Sequence, residues 1–230
     1  VTQLLTSVQS LEEARCVADI GTDILDLKDP QQGALGAVEE SIIHAITQQL
    51  SGQFSISVTI GDVVSMEAQT IVQAVQQRMA YNINFIKIGF FPTDTENYQS
   101  VLHALSPFTK KKIQLIAVFF ADQHRLEKID LQAIKQAGFT GVMLDTANKQ
   151  QGHLLQHYDI KQLINFTKKL KKQGLLSGLA GSLREGDIKK LKVTDVDYLG
   201  FRGALCQQQQ RQANIDKKAV ERIKDLLQSV

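Results

Sequence analysis

Short apolar runs alternate along this chain with longer segments whose apolar positions recur at helical spacing. The strand-like runs are Gln3 to Val8, Asp23 to Lys28, Phe54 to Ile60, Asn84 to Phe90, Lys112 to Phe119, Gly141 to Asp145, Leu175 to Ala180 and Val196 to Phe201. The segments between them read as helices. Ser10 precedes Leu11-Glu12-Glu13 with the Ser and Glu of a capping box, and Gly21, Gly138 and Gly174 stand where helices should stop. Strand-then-helix alternation implies parallel strands, and eight such units predict an α/β protein built as a single (β/α)₈ TIM barrel over residues 1–230. The competing architecture, an open doubly wound sheet, lacks its Gly-x-Gly-x-x-Gly fingerprint after the first strand.

Composition narrows the class. The 230 residues are 43% hydrophobic with only three prolines, which suits one large core without a linker. A net charge of +2 makes no demand for nucleic acid, and the lysines at 110–112 and 168–172 lack the interleaved aromatics of an RNA surface. Cys16 and Cys206 match no metal or redox spacing, consistent with a reducing compartment. No apolar run approaches the roughly 20 residues needed to span a bilayer, and the start of the chain lacks the order of a signal peptide. A soluble, cytoplasmic protein without membrane or nucleic-acid partners is expected. His153 and His157 stand at i, i+4 without a third ligand and read as surface, as does the glutamine run Gln207 to Gln210.

In such a barrel the reactive groups sit at the C-terminal ends of the strands. Strand two ends in Asp26-Leu27-Lys28-Asp29-Pro30, with Ile24, Asp26 and Lys28 on one face; alone, that would read as a structural acid-lysine pair. Strand four carries Lys87, however, and strand six ends in Asp145 with Lys149 in the loop after it. Alternate strands supply the barrel's interior layers, so Lys28, Lys87 and Asp145 are expected to meet in one layer. Two lysines facing one cavity suit carbonyl chemistry: a neighbouring cation favours the neutral amine, the amine forms an iminium, and a second base removes the acidified proton beside it. Asp26 could orient Lys28 or simply balance its charge. After strands seven and eight, Gly181-Ser182 and Arg202-Gly203 fall where this fold binds phosphate. A phosphorylated aldehyde or ketone follows as the substrate class. Asp122 and His124, in the strand-five loop, face the same mouth, and Cys206 is expected to be a packed thiol rather than a nucleophile.

The blocks Asp26-Leu27-Lys28-Asp29-Pro30 with Gly33 and Gly36, Ile86-Lys87-Ile88-Gly89, Met143-Leu144-Asp145-Thr146-Ala147 with Lys149, Leu179-Ala180-Gly181-Ser182 and Gly200-Phe201-Arg202-Gly203-Ala204-Leu205-Cys206 together resemble the (5-formylfuran-3-yl)methyl phosphate synthases. The resemblance covers nearly the whole chain. It implies condensation of two glyceraldehyde 3-phosphate molecules into a furan phosphate, a precursor of methanofuran-type cofactors, with loss of phosphate and water. It also implies Lys28 as the Schiff-base lysine and Lys87 as the proton acceptor, and places Asp26, Asp145 and Lys149 in the active site. Lys149 and Arg202, with the Gly181-Ser182 turn, are expected to hold the two phosphates. No metal or other cofactor is needed, because the iminium supplies the electrophile. Two rivals remain at this point: another lysine-dependent aldolase with an open-chain product, and a non-catalytic barrel that binds phosphometabolites. A homo-oligomer is left open by the sequence.

Overall fold

The computed structural model describes residues 1–93, 98–109 and 114–229. Its parallel strands β1 (Gln3–Val8), β2 (Ile24–Leu27), β3 (Ser55–Thr59), β4 (Phe85–Phe90), β5 (Gln114–Phe120), β6 (Gly141–Asp145), β7 (Leu176–Leu179) and β8 (Tyr198–Phe201) pair in sequence order, and β8 closes on β1. The TIM barrel expected from the alternation is therefore the fold. β1 and β6 have the bounds read from the sequence. β2, β3, β7 and β8 are each two residues shorter than the runs read from the sequence. The lysines at 110–112 lie outside the described residues.

Helices α1 (Leu11–Ile20), α2 (Glu40–Leu50), α3 (Ala68–Arg78), α4 (Gln99–Leu105), α5 (Leu131–Gln136), α6 (Leu154–His157), α7 (Ile160–Lys172), α8 (Ile188–Lys192) and α9 (Lys217–Gln228) connect the strands and follow β8. Each longer helix turns one apolar stripe inward. In α9 that stripe is Ala219, Val220, Ile223 and Leu227, and Asp216 caps it by accepting from the Lys218 N–H at 2.9 Å. At α7 a full capping box forms between Asp159 and Gln162, at 2.8 and 2.9 Å. Its terminal Lys169, Lys171 and Lys172 face solvent at the end where cations suit the helix dipole.

The capping box expected at α1 is only half built. Ser10 Oγ accepts from the Glu13 N–H at 3.2 Å, but the Glu13 carboxylate turns away, accepting from the Gln9 N–H at 2.9 Å and meeting the Arg202 guanidinium at 2.5 and 3.0 Å. Both side chains of this pair are buried. It ties the end of β8 to the first turn of α1, across the seam where the barrel closes.

The strand registers explain how the interior is layered. Asp26 is in register with Ser57 and, through it, with Phe85. Strands in a (β/α)₈ barrel tilt, so side chains from alternate strands at one height lie two residues apart in register. Asp26 is therefore level with Lys87, not with Phe85. Continued round the ring, the same rule places Asp26, Lys87, Met143 and Gly200 in a middle layer. Lys28, Gly89, Asp145 and Arg202 form the layer above it, at the C-terminal mouth. Gly200 is small because a Cβ there would lie 3.0 Å from the Met143 methyl in its own layer.

Removing one partner of the Glu13–Arg202 pair would leave the other charge buried without compensation. Glu13→Ala is expected to lose about 3–5 kcal/mol of unfolding free energy in urea titrations, and a loss below about 1 kcal/mol would contradict a structural role for the pair.

Candidate active site

Five ionisable groups occupy the two upper layers; Arg202 pairs outside the ring with Glu13, and the other four pair within layers rather than along strands. In the middle layer the Lys87 ammonium sits 2.6 Å from Asp26 Oδ1, while Ser7 Oγ donates to Asp26 Oδ2 at 2.9 Å. In the mouth layer Lys28 Nζ lies 3.2 Å from Asp145 Oδ2, and the Thr146 N–H donates to Asp145 Oδ1 at 2.7 Å. The expected single layer of Lys28, Lys87 and Asp145 is thus two stacked layers, each holding one of these lysines and one carboxylate. Asp26 is the partner of Lys87, not of its strand neighbour Lys28.

The two lysines differ in depth. Lys87 is 1% exposed and Lys28 7%, so Lys28 is nearer the opening. Burial holds Lys87 below the ordinary lysine range; Asp26 opposes that shift, and the charge of Lys28 adds to it. The neighbouring cation thus acts in the direction expected from the sequence, but desolvation is the larger cause.

Above them lies a cavity of about 370 Å³, lined by Asp26, Lys28, Lys87, Asp145, Gly181, Ser182, Arg202 and Gly203 among others. After β7 the chain makes a tight turn at Gly181 (φ 106°) and Ser182 (φ 52°). A Cβ at Gly181 would come within 2.9 Å of Thr146, so glycine lets this turn press against the β6 loop. Among the described residues, the N–H groups of Gly181, Ser182 and Gly203 donate to no protein acceptor, and all three residues border the cavity. The helix expected near Arg184 begins as a single 3₁₀ turn, Glu185–Asp187, and α8 is short. The backbone at this turn offers individual N–H groups rather than a long helix's dipole.

The comparisons with known proteins bear on this geometry. The sequence model of the 4-HFC-P synthase family matches residues 4–224. The chain is 32% identical to (5-formylfuran-3-yl)methyl phosphate synthase of Methanococcus aeolicus, over 96% of this chain and 97% of that one. It is 30% identical to the synthase of that name from Methanothermobacter thermautotrophicus, over 98% and 99%, and 36% identical to a Methylorubrum extorquens protein, over 93% and 86%. This chain belongs to the (5-formylfuran-3-yl)methyl phosphate synthase family. It is accordingly an enzyme. Among solved structures it resembles the phosphoribosyl anthranilate isomerase of Thermus thermophilus (TM-score 0.67, 12% identity, 98% of each chain). It also resembles a 3-hexulose-6-phosphate synthase (TM-score 0.65, 15% identity, 98% of this chain and 100% of that one). At such identities these likenesses speak to the barrel alone.

Several side chains in this family member have duties the sequence did not suggest. Arg202 borders the cavity, but its guanidinium is committed: Nε donates to the Arg211 carbonyl (2.8 Å), Nη1 to Ser7 O (3.1 Å) and Glu13, and Nη2 to Glu13 and Ala213 O (3.2 Å). Five donors meet five protein acceptors, so Arg202 braces the site instead of offering a free fork to phosphate. Lys149 opens a 3₁₀ turn, Lys149–Gln151, after β6, and its side chain lies outside the described residues. Asp122 accepts from the Ala147 and Asn148 N–H groups at 2.8 and 2.7 Å, so it shapes the loop that carries Lys149. His124 is held by the Phe120 backbone and the Tyr98 hydroxyl, and packs against the Phe119 ring. Neither Asp122 nor His124 borders the cavity.

Sequence reasoning missed Ser7, His153 and Arg211. Ser7 is one of three polar residues in β1, with nothing local to single it out, and only the register of β1 against β2 brings it to Asp26. His153 borders the cavity, and the glutamine run is partly a site loop, since Gln209 reaches the same rim. Arg211, two residues beyond Gln209, lines the rim as well; its position after a polar run was the available signal. Cys206 is the packed thiol expected, with burial pushing its pKa up to about 11. Among the described residues no three His, Cys, Asp or Glu side chains are grouped to hold a metal, and no helix is long and apolar enough to cross a membrane.

A nitrogen-detected NMR titration of the lysine ammonium groups should find Lys87 releasing its proton below the ordinary lysine value of 10.5; a transition at or above it would contradict the burial argument. The sign carries to stability. Between the lowered native pKa and 10.5 the unfolded chain binds more protons at Lys87, so this group's penalty on folding is full below the lowered pKa and is relieved as pH rises through that window.

Proposed function

We propose that this enzyme condenses two molecules of glyceraldehyde 3-phosphate into (5-formylfuran-3-yl)methyl phosphate through an imine on Lys28, a step toward a methanofuran-type cofactor. The observation that carries the proposal is the pair of buried lysines in stacked layers, each with its own carboxylate, beneath a rim of unengaged backbone N–H groups.

Lys28 stands at the mouth, where an aldehyde arrives first. Its neutral amine adds to the carbonyl carbon, and the carbonyl oxygen leaves as water after proton transfers for which Asp145, 3.2 Å away, is the nearest carboxylate. The iminium draws electrons from the adjacent carbon. Lys87, one layer deeper and biased toward its neutral form, accepts the proton from that carbon, and Asp26 stabilises the ammonium so formed. The resulting enamine attacks the aldehyde carbon of the second triose phosphate. Ring closure then frees the Lys28 amine. Two triose phosphates equal one furan phosphate plus one phosphate and two waters, so no external oxidant or reductant is required. The N–H groups of Gly181, Ser182 and Gly203 suit the first phosphate. To Lys149, carried by the β6 loop, this reading assigns the departing phosphate.

Incubation with glyceraldehyde 3-phosphate and borohydride, followed by peptide mapping, is expected to place one reduced adduct on Lys28 and none in Lys28→Ala. Lys87→Met should retain that adduct while furan absorbance and phosphate release fall by roughly 10²–10⁴-fold, the usual contribution of a general base. An adduct elsewhere would sink the assignment of Lys28, and trapping without any furan absorbance would point to an ordinary aldolase with an open-chain product.

A further inference from the structure

A second pocket, of about 460 Å³, lies among the segments that follow β2, β3, β4, β5 and β6, and Arg211 lines both it and the central cavity. Arg211 arrives from the opposite side, in the loop between β8 and α9. Its main-chain carbonyl is fixed by Arg202 Nε at 2.8 Å, and its Nη2 spans the mouth to donate to the Gly33 carbonyl of the β2 loop at 3.0 Å. Among the described residues its Nε and Nη1 groups have no protein acceptor. Asp62, the carboxylate in this outer pocket, has both oxygens engaged, accepting from the Ala34 and Leu35 N–H groups at 2.8 Å each. The remaining polar lining is the neutral amides of Gln123, Asn148 and Gln150.

A condensation of two phosphorylated trioses needs two anion subsites far enough apart for both substrates to lie side by side with their reactive ends at Lys28. The turn at Gly181 and Ser182 provides one, on the β7 and β8 side. Arg202 cannot provide the other, because its donors are committed to Glu13 and to backbone carbonyls. The half-buried fork of Arg211, with donors in hand and facing a pocket lined by three neutral amides and a carboxylate, Asp62, whose oxygens are already held by backbone N–H groups, matches a phosphate bidentately.

We propose that Arg211 and the outer pocket bind the phosphate of the second triose, the one that supplies the aldehyde attacked by the enamine. The inference rests on the two-triose reading of the site, and its test does not require imine chemistry. Calorimetric titration with glycerol 3-phosphate, which has no carbonyl, counts phosphate subsites directly. The wild-type enzyme should bind two equivalents. Arg211→Gln should weaken the second site more than about ten-fold while the first stays within about three-fold, and Arg211→Lys should recover part of the loss. In the same variants borohydride trapping on Lys28 should half-saturate at the wild-type concentration while furan formation falls. One equivalent in the wild type, two undiminished sites in Arg211→Gln, or an equal fall in trapping and furan formation would overturn the proposal. Failure of wild-type trapping alone would count against Lys28 and leave the count of subsites to judge Arg211.

Discussion

Everything at the mouth of this barrel depends on charge balance inside each layer. Moving an ammonium or a carboxylate out of water costs several kcal/mol even after relaxation, and attraction to a partner repays this only when the partner is close and the remaining valences are filled. Here Lys87 meets Asp26 at 2.6 Å with Ser7 filling the carboxylate's other oxygen, and Lys28 meets Asp145 at 3.2 Å with the Thr146 N–H doing the same. The middle layer is neutral as a unit. Arg202 would add a positive charge to the mouth layer, but it is matched by Glu13 outside the ring. The fold can therefore bury two amines one above the other.

In the proposed mechanism that balance also divides the labour between the lysines. Both occupy the same cavity, yet the deeper one loses more hydration and is driven toward its neutral form, while the shallower one keeps an opening to solvent and substrate. A nucleophile has to be reached by an incoming carbonyl, whereas a base needs only to reach one carbon of a substrate already held. In the proposed mechanism the stacking of layers supplies both conditions. Small residues complete it: Gly200 leaves room beside Met143, and Gly181 brings the turn after β7 against Thr146.

The barrel was legible in the sequence because β-then-α alternation is a local signal repeated along the whole chain, and Lys28, Lys87 and Asp145 were legible because strand parity and position at a strand end are local too. Their pairing was not. Asp26 and Lys28 are neighbours on one strand face, but successive same-face positions are separated by roughly 6.6 Å along the strand, while the tilt of the barrel lifts Lys87 to the height of Asp26 from two strands away. Arg202 misled for the same reason, since its partner Glu13 lies at the other end of the chain and meets it only when the barrel closes. Arg211 and His153 sit in irregular loops, where no period tells which side chain turns toward the cavity. The family resemblance, carried by blocks at strand ends, was sound: the 4-HFC-P synthase model matches residues 4–224.

The central claim is that one lysine at the mouth carries the substrate and the lysine beneath it moves the proton. A crystal structure of the enzyme reduced with borohydride in the presence of glyceraldehyde 3-phosphate tests it most directly. The account predicts a secondary amine at Lys28 Nζ, the adjacent substrate carbon facing Lys87, and the phosphate against the Gly181-Ser182 turn. A covalent bond to Lys87 instead, or an adduct on Lys28 whose adjacent carbon faces away from Lys87, would contradict it.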